Sequence, residues 1–169
     1  MKTLLLILAL MCSSSIIFSQ ENTNMKHNDD DEFGIHIGST TGMGLSYRHW
    51  FNKFGVQVTG LPYKDNHEFF SSAAVTMMYS ILKSEHIRVY GYLGNHYTHH
   101  KLTVETDWNG STYLSSTTEI TNKWHIGFGP GFSLGTTVAF NIMAGYGIYD
   151  ITGNLLLLPA GEIGLYVRF

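Results

Sequence analysis

Residues 163–169 read Ile-Gly-Leu-Tyr-Val-Arg-Phe, and apolar residues occupy every second position. These apolar positions are Ile163, Leu165, Val167 and Phe169, with glycine, tyrosine and arginine between them. A period of two is typical of a β-strand that has one apolar face. The stretch therefore predicts a strand that carries a terminal aromatic residue on its apolar face.

The same alternation recurs along the rest of the chain. Seven further runs of this kind begin at Phe33, Met43, Val56, Ala73, Ile87, Trp124 and Val138. From Phe33 onward the apolar residues do not recur at helical spacing. We therefore predict an all-β domain of eight strands.

The composition of the 169 residues excludes several classes of protein. Charged residues make up 14% of the chain and hydrophobic ones 44%, and the formal net charge is -3. These values are not those of a disordered tail, a coiled coil or a basic nucleic-acid-binding domain. The single cysteine, Cys12, excludes a disulfide framework and a cluster of thiolate ligands. We expect one domain and no nucleic-acid partner.

The N-terminus carries the features of a secretory signal peptide. Lys2 precedes an unbroken apolar run from Leu4 to Met11, and small polar residues follow. The run is shorter than the ~20 apolar residues that a membrane-spanning helix needs. Lipid attachment at Cys12 is the alternative, and the bulky Met11 before it disfavours that modification. We predict a signal peptide over residues 1–19, a flexible polar segment over 20–32 and the β-domain over 33–169.

The connections between strands separate a membrane barrel from a soluble sheet, which alternation alone does not. Residues 52–53, 83–86 and 135–136 are tight turns. The connections on the other side are mostly longer, above all 62–68 and 101–121, and only 41–42 and 150–154 are short there. Outer-membrane barrels have short periplasmic turns and longer outer loops. In hydrocarbon an unpaired backbone group is expensive, so short strands span lipid only as a closed ring. We predict an eight-stranded antiparallel up-and-down transmembrane β-barrel.

The chain resembles the small eight-stranded outer-membrane barrels of the OmpA/OmpX type. The resemblance rests on the architecture and on the last ten residues, which end at Phe169. It implies the outer membrane of a Gram-negative bacterium and contact with its lipids. It also implies that Phe169 is the insertion signal read by the outer-membrane assembly machinery.

Two prolines fall inside predicted strands, where they remove ladder donors. Pro130 stands between Gly129 and Gly131, which indicates a β-bulge. We expect Pro159 near the outer end of the last strand.

The side chains predicted to face inward are largely polar. An eight-stranded barrel is filled by such side chains. We expect a hydrogen-bonded plug that contains Arg48, Arg88, Glu162 and Arg168, with Glu162 as the counter-charge of the arginines. A narrow channel for small solutes is the alternative.

The longest connection has a pattern of its own. Leu102, Val104 and Thr106 alternate with polar residues, and Asn109-Gly110 is a strong hairpin turn. We predict that two strands project beyond the membrane as a hairpin. Trp108 and Tyr113 near its tip are the candidate surface-binding residues, and the partner is an extracellular protein or a host surface. A solvated hairpin without a partner is the alternative.

The sequence shows no catalytic constellation. Lipid-deacylating barrels carry a His-x-Ser-Asn element, whereas Ile126 and Gly127 follow His125 here. The other histidines near the outer rim, His96, His99 and His100, match no closed metal motif. We therefore predict no enzyme activity, no cofactor and no metal. The expected role is structural or adhesive, and the alternative is a lipid-modifying barrel or a narrow channel.

Overall fold

The computed structural model describes residues 30–65, 68–107 and 114–169. Its eight strands are β1 (Asp31–Gly38), β2 (Met43–Phe51), β3 (Phe54–Lys64), β4 (Glu68–Lys83), β5 (Ile87–Asp107), β6 (Leu114–Leu134), β7 (Val138–Tyr149) and β8 (Leu156–Arg168). Within these ranges no helix is long and apolar enough to cross a bilayer. The predicted signal peptide, residues 20–29 of the predicted polar segment, and Trp108 and Tyr113 lie outside the described residues.

Each strand pairs antiparallel with the next, and β8 pairs with β1 to close the ring. The closing ladder runs from Glu32 opposite Arg168 to Gly38 opposite Glu162. Because no strand of the ring is left without two neighbours, the backbone groups of the wall find partners within it. The predicted fold, a closed antiparallel up-and-down barrel of eight strands, is confirmed.

The side chains divide between the two faces of the wall as the alternation predicts. Ile163 and Leu165 point outward and are 50% and 47% exposed, whereas Tyr166 on the same strand points inward and is fully buried. The buried interior also holds Arg48 and Gln57. The barrel is therefore apolar outside and polar inside, the reverse of a soluble sandwich.

The barrel begins two residues earlier than the predicted boundary at Phe33. β1 starts at Asp31, and the Glu32 side chain is fully buried inside the ring. The predicted boundary at Phe33 is wrong. The sequence favours it because the acidic composition of residues 29–32 is typical of a solvated segment, and this composition gives no sign of a strand. The register instead sets Glu32 opposite Arg48 on one side and Arg168 on the other.

The predicted bulge at Pro130 is wrong. Phe128 pairs with Tyr146 and Gly131 with Met143, so the register between β6 and β7 is the same before and after the proline. The ladder skips only Gly129 and Pro130.

The direction of the backbone groups explains why Pro130 is tolerated. Gly135 donates its N–H to the carbonyl of His86 beside β5, and backbone groups alternate sides along a strand. Pro130, five residues away, therefore lacks its donor on the β7 side, where the ladder is interrupted. The register of this barrel shifts in β4 instead, between Ser80 and Leu82.

Pro159 lies near the start of β8, at the end of the barrel away from Phe169, as expected. Phe169 donates its N–H to the carbonyl of Asp31, so odd-numbered residues of β8 face β1. The ladder with β1 stops at Glu162. The missing donor of Pro159 thus points to an edge that has no partner strand, and the proline removes no ladder bond.

β5 and β6 extend past the rest of the ring, as the predicted hairpin requires. They stay paired from Ile87 and Leu134 out to Asp107 and Leu114. β7 pairs with β6 only as far as Ile126. The start of β4 joins this extension, and we call residues 68–72, 96–107 and 114–125 the projecting sheet. The long connection expected over 62–68 is mostly strand, since β3 runs to Lys64 and β4 starts at Glu68.

Candidate functional site

A single carboxylate holds the arginines at the end of the barrel where β1 begins and β8 ends. Glu32 Oε2 is 3.0 Å from Arg48 Nη1, and Glu32 Oε1 is 3.0 Å from Arg168 Nε and 3.8 Å from Arg88 Nη1. All four side chains are buried. The prediction that Glu162 is the counter-charge is wrong. Glu162 stands six residues from Arg168 along β8, which is about 20 Å of strand.

Aromatic rings and the Gln57 amide make further favourable contacts with the arginine guanidinium groups. The Arg48 guanidinium lies 4.3 Å from the centre of the Tyr166 ring, and that of Arg88 lies 4.1 Å from the Trp50 ring. Arg48 also donates to the Gln57 side-chain carbonyl at 2.6 Å. Contacts between cations and ring faces are favourable, more so when both groups are out of water.

The connection between β1 and β2, residues 39–42, folds into the other mouth of the barrel. We call it L1. The hydroxyls of Thr40 and Thr41 donate to the two carboxylate oxygens of Glu162, and both threonines are fully buried. His36 Nε2 lies 2.6 Å from Thr41 Oγ1, and His36 Nδ1 lies 3.1 Å from the Tyr166 hydroxyl. Glu162 is therefore the anchor of L1.

Glycines of the facing wall leave the space that L1 occupies. A Cβ at Gly127 would overlap the Thr40 side chain, and one at Gly94 would lie 2.6 Å from Thr41 Cγ2. Both positions face inward on neighbouring strands. Glycine is required there for close approach, since any larger residue would displace the loop.

L1 is also tied to the rim. Ser39 Oγ lies 2.7 Å from the Tyr149 hydroxyl, and the Ser39 carbonyl accepts a hydrogen bond from His96 Nδ1 at 2.9 Å. Between L1 and the arginine cluster, the interior is filled by Trp50, Met78, Tyr90, Tyr92 and Met143. The lumen is thus occupied at both ends and in the middle, in the manner of a plug.

A serine and a histidine meet at the rim although no motif in the sequence links them. Ser72 Oγ lies 2.9 Å from His96 Nε2. The two residues stand on β4 and β5, and only the register brings them together. Ser72 Oγ also accepts the N–H of Met43, and its side chain is buried, so the pair fastens L1 to the wall. A catalytic serine would have to be accessible to its substrate, whereas the Ser72 side chain is buried.

The histidines of the rim are engaged by protein groups. Both ring nitrogens of His96 have partners, and His125 Nδ1 accepts the N–H of Asp150 at 3.1 Å. Metal ligation needs a free imidazole lone pair. In the described part of the chain, no group of three or more His, Cys, Asp or Glu residues is placed to hold a metal ion.

β6 has a free edge in the projecting sheet. Trp124 accepts the N–H of Ile151 on the side away from β5. Beyond it, β6 continues to Leu114 with β5 as its only partner among the described residues. Since Thr118 stands six residues from Trp124, its N–H and C=O point to the same open side.

The inward face of the projecting sheet forms a cleft of about 380 Å³ that is lined by Phe70, Thr98, His100, Thr121 and Lys123. At its border, His100 Nε2 lies 2.8 Å from Glu68 Oε1. Of these residues only His100 stood out in the sequence. The others come from three strands, and only the register gathers them on one face.

The proposed insertion signal lies at the closing seam. Phe169 follows β8, its ring is exposed on the outer surface, and its backbone N–H bonds to the carbonyl of Asp31 at 3.0 Å. The ring therefore contributes little to packing within the barrel.

No family model and no curated protein matches this chain. Several solved barrel structures do. The N-terminal β-barrel domain of Pseudomonas aeruginosa OprF is 12% identical, covers 83% of this chain and 96% of its own, and gives a TM-score of 0.48. Ail, the attachment invasion locus protein of Yersinia pestis, is 21% identical, with coverages of 83% and 99% and a TM-score of 0.42. Neisserial surface protein A is 15% identical, with coverages of 83% and 94% and a TM-score of 0.40.

Proposed function

We propose that this chain is an integral outer-membrane barrel that binds partners outside the cell through the free edge of β6. The apolar outer surface supports the location. In water the barrel would expose a continuous band of apolar side chains, which is unfavourable. In a bilayer the hydrocarbon covers this band. Members of this band are Ile35, Ile37, Leu45, Val58, Met77, Leu93, Phe128, Phe132, Ile142, Ile163 and Leu165.

Aromatic residues at the two ends of the band support the same location. Phe51, Phe54 and Phe169 are exposed near the end where β1 begins and β8 ends, and Trp124 and Tyr146 near the other end. Aromatic girdles of this kind stand at the headgroup levels of outer-membrane barrels. The short turns at 52–53, 84–86 and 135–137 then face the periplasm, and the projecting sheet faces outward.

The free edge of β6 is the observation that carries the binding role. An unpaired edge presents a row of N–H and C=O groups that an extended segment of another protein can complete as an added strand. Thr117, Thr118 and Glu119 are exposed on this edge, so the partner strand is expected to be polar. The filled lumen supports surface binding over a narrow channel.

The edge can be tested by removing one backbone donor. Thr118→Pro takes away an N–H on the open side and leaves the ladder to β5 intact. Thr118→Ala is the matched control, since it changes the side chain and keeps the donor. Displayed ten-residue peptides that are selected on the refolded barrel should bind the alanine variant and fail to bind the proline variant. Equal binding to both variants would contradict pairing at this edge.

The orientation has a separate test. Protease added to intact cells should cut the projecting hairpin near Trp108 and leave the periplasmic turns uncut. Cleavage in the turn at residues 84–86 of intact cells would show the opposite orientation.

A further inference from the structure

Three strands bring an aromatic ring, two hydroxyls, an imidazole and an ammonium group onto one face. Phe70 on β4 stands directly opposite His100 on β5, and His100 stands opposite Thr121 on β6. Thr98 stands opposite Lys123 in the same ladder. Directly opposite residues have Cβ atoms about 5 Å apart, so these side chains act as one surface.

From this surface we propose that the cleft binds an acidic saccharide, meaning a sugar ring that bears a carboxylate or a phosphate. The inference rests on the outward orientation proposed above, and it concerns the concave face of the sheet instead of its edge. A volume of about 380 Å³ suits one or two sugar rings, at the small end of ligand sites.

The aromatic and hydroxyl groups fit the uncharged part of a sugar. The Phe70 ring meets the His100 ring edge to face, with centroids 6.3 Å apart, which fixes its orientation. It offers an apolar surface to the C–H face of a pyranose. Thr98 and Thr121 each offer a hydroxyl that both donates and accepts, as sugar hydroxyls require.

The charged groups of the cleft favour an anionic ligand at the end that carries Lys123. His100 already bonds to Glu68. Glu119 stands in the same cross-strand row as Glu68, since both are opposite Leu102, so these two carboxylates lie at the end of the cleft away from Lys123. Lys123 is exposed, and no carboxylate in the described ranges lies within ion-pair distance of its ammonium group. An acidic group placed against Lys123 gains a charge-assisted hydrogen bond.

Two sources supply such a sugar. One is the acidic core of the lipopolysaccharide in the same membrane, and the other is a glycan from outside. Both present the same chemistry to the cleft, so the test includes a probe for each. It uses the refolded barrel in detergent micelles, where the result does not depend on orientation or on the edge of β6.

The probes are glucuronic acid, N-acetylneuraminic acid and glucose 6-phosphate, with glucose as the uncharged comparison, followed by purified lipopolysaccharide core oligosaccharide. Titration is followed by calorimetry and by NMR of the His100 ring. We expect saturable binding of at least one acidic probe and weaker binding of glucose. Binding of the core oligosaccharide alone would identify the membrane as the source.

Lys123→Ala should weaken binding of the acidic probe about tenfold and leave that of glucose unchanged. Lys123→Arg should retain the affinity. Lys101→Ala is the matched control, because Lys101 lies on the same sheet with its side chain on the opposite face. Equal losses in the Lys123 and Lys101 variants, or no saturable binding of any acidic probe at millimolar concentration, would overturn the proposal. A Thr118→Pro variant that still binds the sugar separates this site from the β6 edge.

Discussion

Glu32 Oε2 lies 3.0 Å from Arg48 Nη1, and both side chains are completely buried. The same carboxylate also faces Arg88 and Arg168, so one negative charge offsets part of three positive ones. Removal of a single partner from a buried ion pair leaves uncompensated charge, which is far more destabilising than loss of a surface pair.

Glu32→Gln should therefore lower the free energy of unfolding by about 3–5 kcal/mol. Denaturant unfolding in lipid vesicles, followed by tryptophan fluorescence, measures the change. Trp50 is a suitable reporter because its ring lies against Arg88. Glu85→Gln, in the exposed turn at 84–86, is the control and should leave the midpoint unchanged. An unaltered midpoint in the Glu32 variant would show that the cluster is not held by this charge.

Gly127→Ala should displace L1, since the added methyl would overlap Thr40. The expected result is faster cleavage of L1 by protease and a lower unfolding midpoint. Gly91→Ala on β5 is the matched control, because a Cβ there meets nothing within 4 Å. Similar behaviour of the two variants would contradict the position of L1.

Ile163→Arg should destabilise the barrel in lipid by about 2–4 kcal/mol if the outward band is in hydrocarbon. Ile163 is 50% exposed and stands between Ile37 and Ile142 of the two neighbouring strands, both of which belong to the band. Thr117→Arg introduces the same side chain in the projecting sheet, where water surrounds it, and should be neutral. A neutral Ile163→Arg variant in vesicles would argue against a membrane-embedded wall.

Deletion of Phe169, or Phe169→Asp, should reduce insertion into the outer membrane with little effect on the stability of barrels already formed. The ring is exposed on the outer surface and packs little against the rest of the barrel. The measurement is the amount of heat-modifiable barrel in outer-membrane fractions. Phe51→Asp, at another exposed aromatic of the same rim, is the comparison. Normal amounts of the Phe169 variants would refute the insertion signal.

The strands and their two faces were predictable because a period of two states directly which residues share a face. Ile163 and Leu165 point outward, and Arg48, Arg88, Glu162 and Arg168 lie inside. The projecting hairpin was also predictable, since alternation continues past the usual length of a membrane strand.

The contacts between inward side chains of different strands were not predictable. Which inward residues meet depends on the stagger of the ring, and alternation carries no information on stagger. The sequence alone therefore points to Glu162 as the counter-charge of the arginines and leaves Glu32 in the polar segment over 20–32. For the same reason, the Ser72–His96 pair and the cleft around Lys123 were not predictable from the sequence.

The position of L1 inside the barrel was not predictable from the sequence for a different reason. Residues 39–42 contain Ser, Thr and Gly, which are ordinary turn residues. The only signal in the sequence is the set of inward-facing glycines, Gly94, Gly127 and Gly147. Glycine within a strand also marks bulges and bends, so this set alone does not indicate a loop inside the barrel.

The seam between β1 and β8 has a consequence for biogenesis. β1 is the first of the eight strands to leave the ribosome, and its second neighbour is the last. Until β8 has been synthesised, one edge of β1 has no partner strand within the chain. Until β8 pairs with β1, the open edge of β1 is able to pair with a strand of another copy, so aggregation is most expected before the ring closes.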